Sequence, residues 1–320
     1  MRKAKHGTDF LSTAGSLRLP IGSKIKPGEI GGYYIDFTSK VTDPRWPPDW
    51  LAPREEQFHV ATIQWALGCF ETYLLDGNER WLDASIAAGR YLAGLQREDG
   101  GWAHLFSMPH TFTLRPGWLS ALPQGEGASL FVRLHRETGD DEFAERAALA
   151  IRPLEIPVQE GGLTAPLAGG TFLEEYPTDP PSYVLNGAIF ALWGLYDVGL
   201  GLDDRSAMSR FEAGVDLLAA TIDQYDLGYW SSYDLYPHPV VNVASGAYHE
   251  LHINQLRAMA LVAPRPAFDR ISARFEHYRD SRLCRWRAFA EKVYFRLRVP
   301  RRRVTAPSGD PGTQESLQGS

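Results

Sequence analysis

The sequence predicts an all-α fold, an (α/α) barrel or toroid of antiparallel helix pairs with a short extended N-terminal arm. Three observations lead there. Apolar residues recur at helical spacing in roughly nine segments. Two turns between neighbouring segments have similar composition, Leu75-Asp76-Gly77-Asn78 and Glu137-Thr138-Gly139-Asp140. Several connections between pairs are long and rich in Gly, Pro and aromatic residues, as are loops that build a site on one face of a barrel. An ordinary helical bundle is the plainer reading of the periodicity alone, and the long aromatic connections favour the barrel.

Residues 1–53 read as the arm. They are rich in Gly, Pro and polar residues, with a β-like run Gly32-Tyr33-Tyr34-Ile35-Asp36-Phe37 and a turn at Trp46-Pro47-Pro48-Asp49-Trp50. Residues 54–298 form the helical body. Helices are expected over 59–75 and 79–96, then over 127–136 and 141–154, two hairpins that look like a degenerate internal repeat. Further helices are expected over 183–198, 206–223, 249–262, 266–278 and 282–297. Residues 299–320 begin with Arg301-Arg302-Arg303 after Pro300 and continue Pro-, Gly-, Ser- and Gln-rich, the composition of a basic, disordered tail. With Arg296 and Arg298 these arginines are a candidate dock for an acidic polymer or a membrane surface, although a solvated tail is the plainer reading.

The chain has 320 residues, of which 44% are hydrophobic and 22% charged, the balance of a soluble globular protein with a sizeable core. Its formal net charge of −6 argues against nucleic acid as a partner, and any anionic substrate needs a local concentration of basic groups. Cys69 and Cys284 lie far apart and outside any zinc-binding spacing. Arg2, Lys3 and Lys5 precede no continuous apolar stretch, and no later run has the length of a transmembrane segment, so a cytoplasmic location is expected.

Four stretches place aromatic, carboxylate and amide groups where a plain core would not. In Gln96-Arg97-Glu98-Asp99-Gly100-Gly101-Trp102 the glycines turn the chain and Trp102 is expected to fold back on the preceding helix. From Arg115 to Gly127, Trp118, Ser120, Gln124 and Glu126 are candidates to line a sugar site, against the plainer reading of a helix junction with a buried Trp. Glu174-Glu175-Tyr176-Pro177-Thr178-Asp179-Pro180-Pro181-Ser182 fixes adjacent acids and a tyrosine just before an apolar helix; capping by Asp179 or Ser182 explains part of this stretch but not Glu175 and Tyr176. The fourth comprises Tyr229-Trp230-Ser231-Ser232-Tyr233-Asp234 and the run from Tyr248 to Gln255. His249 and His252 stand on adjacent helical turns, but without a third ligand a hydrogen-bonded His252–Asn254 network is the better reading than a metal site.

In order and spacing these elements resemble the C-terminal domain of the D-glucuronyl C5-epimerases. The resemblance is carried by Pro116-Gly117-Trp118-Leu119-Ser120-Ala121 with Gln124-Gly125, by Glu175-Tyr176-Pro177-Thr178, and by Tyr183-Val184-Leu185-Asn186-Gly187 leading to Gly194-Leu195-Tyr196-Asp197. Tyr233-Asp234-Leu235, and Tyr248-His249 followed by His252-Ile253-Asn254-Gln255-Leu256, complete it. It implies inversion of carbon 5 of D-glucuronate to L-iduronate in a heparosan-like glycan by proton abstraction and reprotonation, with no cofactor. It places Glu175, Tyr176, Tyr233 and Tyr248 at the catalytic positions and Arg115, Trp118, Ser120, Gln124, Asn186, Tyr236, His249, His252 and Asn254 around the substrate. The expected partner is an anionic polysaccharide or oligosaccharide, with a homodimer as a further expectation. One departure stands out. Where the family pattern continues Tyr-Asp-Leu-Arg-His, this chain reads Tyr233-Asp234-Leu235-Tyr236-Pro237, so Arg115, His249 and His252 are the candidates to replace the arginine near the substrate carboxylate. A polysaccharide lyase removes the same hydrogen and is the rival reading, followed by a non-catalytic glycan-binding protein.

Overall fold

The computed structural model describes residues 19–107 and 110–301. The first residues, including Arg2, Lys3 and Lys5, and the tail from Arg302 on lie outside the described residues, and with them the expected disorder of that tail. Nine α-helices occur among the described residues: α1 (His59–Asp76), α2 (Glu79–Leu95), α3 (Ala121–Thr138), α4 (Asp141–Ala150), α5 (Leu185–Gly201), α6 (Arg205–Thr221), α7 (Gly246–Val262), α8 (Pro266–Asp280) and α9 (Arg282–Arg298). None is long and apolar enough to cross a membrane.

The first three hairpin turns use related chemistry. Gly77 ends α1 and Gly139 ends α3, both with a positive φ that only a glycine adopts without strain. A side chain just after the stop caps the outer helix: Asn78 accepts from the Arg80 N–H, Asp140 from Glu142, and Asp204 from Ser206 and Ala207. The repeat seen in the sequence is thus a repeated stop-and-start device. The chain folds into four hairpins, α1/α2, α3/α4, α5/α6 and α7/α8, each an inner helix covered by an outer one; the last turn has neither a glycine stop nor a side-chain cap and starts its outer helix with Pro266.

Successive inner helices pack on one another, α1 on α3, α3 on α5 and α5 on α7. The tightest approach joins α3 to α5, where a Cβ on Gly125 would come 2.3 Å from the Phe190 carbonyl oxygen. The described helices therefore form an all-α arc in two layers, and the arm touches the helices at both of its ends. Leu19 O accepts from Asn254 Nδ2 of α7 at 2.9 Å, and the 3-10 turn Thr38–Lys40 rests on α1. Between these ties Tyr33, Tyr34, Ile35 and Phe37 are buried against Phe190 and Trp193 of α5. The β-like run is no strand: it holds the single bridge Ile21 to Ile35, and others of its backbone bonds go to Lys24 O and to the side chains of Glu71 and Arg133.

Two elements differ from the sequence reading. Helix α3 begins at Ala121, ahead of the expected 127, because Pro123 falls in the first turn, where the missing N–H would have had no helical partner. A hairpin of β1 (Thr164–Leu167) and β2 (Gly170–Leu173) was not expected; Ala168 and Gly169 turn it with positive φ at both positions. Pro166 inside β1 masks the strand pattern.

Candidate functional site

The N-terminal ends of all four inner helices face one cavity of about 930 Å³, counted to its open mouth. Gln64 of α1, Leu122 of α3, Asn186 of α5 and Tyr248 of α7 line it, together with Lys40 from the arm and Ser120, Glu175 and Tyr176 from the connecting loops. Inner helices of successive hairpins run parallel, so their unpaired N–H groups and positive dipole ends collect at this face, an environment that favours an anion.

Glu174 and Glu175 are neighbours with opposite tasks. Glu174 accepts from the Ser182 N–H at 2.9 Å and from Tyr183 N–H at 3.1 Å, which ties down the proline-rich loop before α5. Glu175 turns the other way and lines the cavity. Asn186 Nδ2 donates to its Oε2 at 3.0 Å. Gly187 makes this possible, since a Cβ there would meet the Glu175 side chain at 2.4 Å. Burial pushes the Glu175 carboxyl up to about 7, held back by hydrogen bonds from Tyr176, Asn186 and the Gly187 N–H. Burial also raises the phenols: Tyr248 to about 12, and Tyr176 and Tyr233 well above the ordinary tyrosine value, with the Glu175 charge adding to each. The site thus joins one carboxyl poised near neutrality to three phenols that keep their protons. Tyr233 reaches the group through an edge-to-face contact with Tyr248, ring centroids 4.8 Å apart.

An aromatic wall faces these groups. Trp118 stacks on His104 at 3.9 Å and lies 6.0 Å from Tyr176 between ring centroids, a surface on which a sugar ring can rest. Burial and the nearby His59 keep His104 neutral. Its Nε2 and the Asn186 Oδ1 are buried without a hydrogen-bond partner among the described residues.

Of the cations, the sequence marked only Arg296, and that as part of a basic dock; Lys40 and Lys292 it did not mark. Lys40 lines the cavity and donates to Gln64 Oε1 at 2.6 Å, and Gln64 Nε2 donates to Glu126 Oε1 at 2.8 Å. Burial lowers the lysine and raises the glutamate, so both lean toward neutrality. On the Tyr233 side Lys292 of α9 lies 5.7 Å from that ring and donates to Asn242 Oδ1 at 2.8 Å, and Arg296 donates to Thr111 Oγ1 at 2.8 Å. Burial and the neighbouring Arg296 lower Lys292 to about 7. A sequence signal for Lys40 and Lys292 existed: lysines are so scarce that none lies between these two.

Of the residues singled out from the sequence, Glu175, Tyr176, Tyr248, Trp118, Ser120 and Asn186 come together at the cavity. Tyr233 touches it through Tyr248, and Tyr236 stands half-buried beside Phe112 and His238. The others are used elsewhere. Gln124 is buried and spends its amide on backbone, accepting from Trp102 N–H at 3.0 Å and donating to the Gly100 and Ala150 carbonyls. Glu126 is reached only through Gln64. Arg115 is exposed. His249 contacts Ser231 Oγ at 2.8 Å and the Phe275 carbonyl at 2.9 Å, and burial lowers it to about 4. His252 contacts Ser231 Oγ at 3.0 Å, where a network with Asn254 was expected, and burial with the nearby His249 lowers it to about 3. Neutral and enclosed, neither histidine is placed to replace the family arginine. Asn254 holds the arm instead.

The family model for the D-glucuronyl C5-epimerase C-terminus matches residues 96–277. The chain is 33% identical over 205 residues to a D-glucuronyl C5-epimerase of Caenorhabditis elegans, an alignment covering 57% of this chain and 32% of that protein. It is 30% identical over 141 residues to an uncharacterised protein of Methanocaldococcus jannaschii, covering 43% of this chain and 46% of that one. The chain thus spans less than half the length of these relatives. The matched stretch contains Trp118, Glu175, Tyr176, Asn186, Tyr233 and Tyr248, the same groups that the fold gathers at or beside one cavity, and the chain belongs to the D-glucuronyl C5-epimerase family through its C-terminal part.

Proposed function

We propose that the protein inverts carbon 5 of a D-glucuronate residue within an anionic glycan of the heparosan type. The observation that carries this reading is that a single cavity is lined by both a carboxyl near neutral pKa, Glu175, and a protonated phenol, Tyr248. Inversion next to a carboxylate needs a base on one face of the ring and an acid on the other. Ionised Glu175 takes the hydrogen from carbon 5, and Asn186 with the Gly187 N–H holds the carboxylate in place. The electron pair moves into the uronate carboxyl group, giving an enolate-like state whose growing charge calls for donors and cations. Tyr248 then delivers a proton to the opposite face, and Tyr176 and Tyr233 stabilise the phenolate that results. Charge neutralisation falls to Lys40 in the cavity lining and to Lys292 and Arg296 behind Tyr233, in place of the arginine that Tyr236 replaces. Trp118 and His104 carry the ring.

Incubation with heparosan or N-sulfated heparosan in heavy water tests the proposal. Deuterium at carbon 5 without chain cleavage is the expected result. An unsaturated product absorbing in the ultraviolet would replace epimerisation with elimination, and no exchange on any uronate polymer with folded protein would leave only glycan binding.

A further inference from the structure

Helix α9 (Arg282–Arg298) has two faces that contradict the usual order of a surface helix. Its body-facing side is formed by Cys284, Ala288, Lys292, Phe295 and Arg296, of which Ala288 and Phe295 are buried. The opposite side is apolar and faces solvent: Leu283 is 80% exposed, Trp286 71%, Phe289 62% and Leu297 76%, with Val293 and Tyr294 between them. At 3.6 residues per turn these six side chains fall on one stripe roughly 140° wide, running the length of the helix. A contiguous exposed stripe of large apolar groups marks an interaction surface, not scattered surface residues.

Charge identifies the partner. The helix carries Arg282, Arg285, Arg287, Lys292, Arg296 and Arg298 against the single acid Glu291, in a chain whose net charge is −6. Arg285 and Arg296 border one edge of the stripe, Arg287 and Arg298 the other, and the chain continues with Arg301-Arg302-Arg303. Two copies of this face laid together would press arginine edges on arginine edges. An anionic glycan would pair with the arginines but leave Leu283, Trp286, Phe289 and Leu297 in water. An anionic lipid bilayer satisfies both: the apolar stripe enters the acyl boundary, and the long arginine side chains reach back to the phosphates. We propose that α9 docks the protein flat on an anionic membrane surface. The inner side of the same helix reaches Asn242 and Thr111 beside the site, so the docked bilayer lies about one helix diameter, roughly 10 Å, from it.

Co-sedimentation with extruded vesicles tests this with the full chain. Binding to phosphatidylcholine vesicles containing phosphatidylglycerol is expected, weaker on pure phosphatidylcholine and falling with salt. The triple variant Leu283→Ser, Trp286→Ser, Leu297→Ser should lose about tenfold or more of that affinity, and Arg282→Gln, Arg285→Gln, Arg298→Gln should lose the preference for the anionic lipid. All six side chains are exposed or at the helix ends, and an unchanged circular dichroism spectrum confirms each fold. As an independent readout, brominated lipid should quench a fluorescence component that Trp286→Ser removes. Failure of the wild type to sediment with anionic vesicles at low salt overturns the proposal. So does binding that survives the apolar substitutions, a dimer that those substitutions dissociate, or heparosan retention that they alone abolish.

Discussion

The inner helices hold two buried charge networks about two turns apart, built on different principles. In the inner network, Arg133 of α3 donates directly to Asp197 of α5 at 2.6 Å, and Tyr34 of the arm donates to the same carboxylate at 2.5 Å. Arg133 also donates to Gly32 O, and the Glu71 carboxylate accepts the Tyr33 N–H, so this network is the seam that fixes the arm inside the arc. Asp197 raises Arg133 above its already high ordinary value, so the arginine keeps its charge. At the cavity, Lys40 and Glu126 are separated by the Gln64 amide and never touch. Burial therefore wins over attraction and moves both toward neutrality. Direct pairing locks charge states and serves stability. An amide spacer leaves groups able to change protonation, which is what a proton-transfer site needs.

Substitutions can break or sharpen this contrast. The largest effect is expected at Glu175: Glu175→Gln keeps the Asn186 contact but removes the base, and the rate of deuterium exchange should fall by about 10²–10⁴. Its stability should move the other way. A carboxyl raised to about 7 by burial costs stability as pH climbs from the ordinary carboxylate range to that value, so the melting temperature of Glu175→Gln should exceed wild type at pH 8 and match it near pH 4. Asp197→Ala reverses the pattern, leaving Arg133 buried and unpaired; chemical denaturation should show a loss of about 3–5 kcal/mol. Lys40→Gln should lower kcat/KM by about 10²-fold while changing stability little, because the glutamate it faces is itself pushed toward the neutral form. A comparable loss of stability in Lys40→Gln and Asp197→Ala would erase the distinction between the networks. The smallest expected effect is in the pH profile. kcat/KM should rise as Glu175 ionises through about pH 7, and a profile flat from pH 5 to 8 would remove Glu175 from the role of base.

How much of this was legible depended on the range of the interactions concerned. Hairpins α1/α2 and α3/α4 followed from local chemistry, a glycine stop and an Asn or Asp start, which operate within a few residues. The β hairpin escaped because Pro166 interrupts its alternation. At the site, Glu175, Tyr176 and Asn186 were readable because prolines and a short span hold them in one loop and helix start. Gln124, His249 and His252 looked equally functional as letters. Their bonds to backbone carbonyls and to Ser231 come from residues distant in the chain, and buried polar groups that serve the core carry the same side chains as those that serve a ligand.

The sequence by itself determined the all-α class and the hairpin order, since periodicity and capping are properties of neighbouring residues, while the acid-and-tyrosine set came from the resemblance of its motifs to the epimerase family. Only the tertiary structure decided which cations stand near the cavity. Lys40 arrives from the arm and Lys292 and Arg296 from the last described helix, carried there by burial of Tyr33, Tyr34 and Phe37 in the one and of Phe295 in the other. Burial of those apolar groups is a non-directional force acting across the whole chain, and no local pattern records which distant cation it carries to the site.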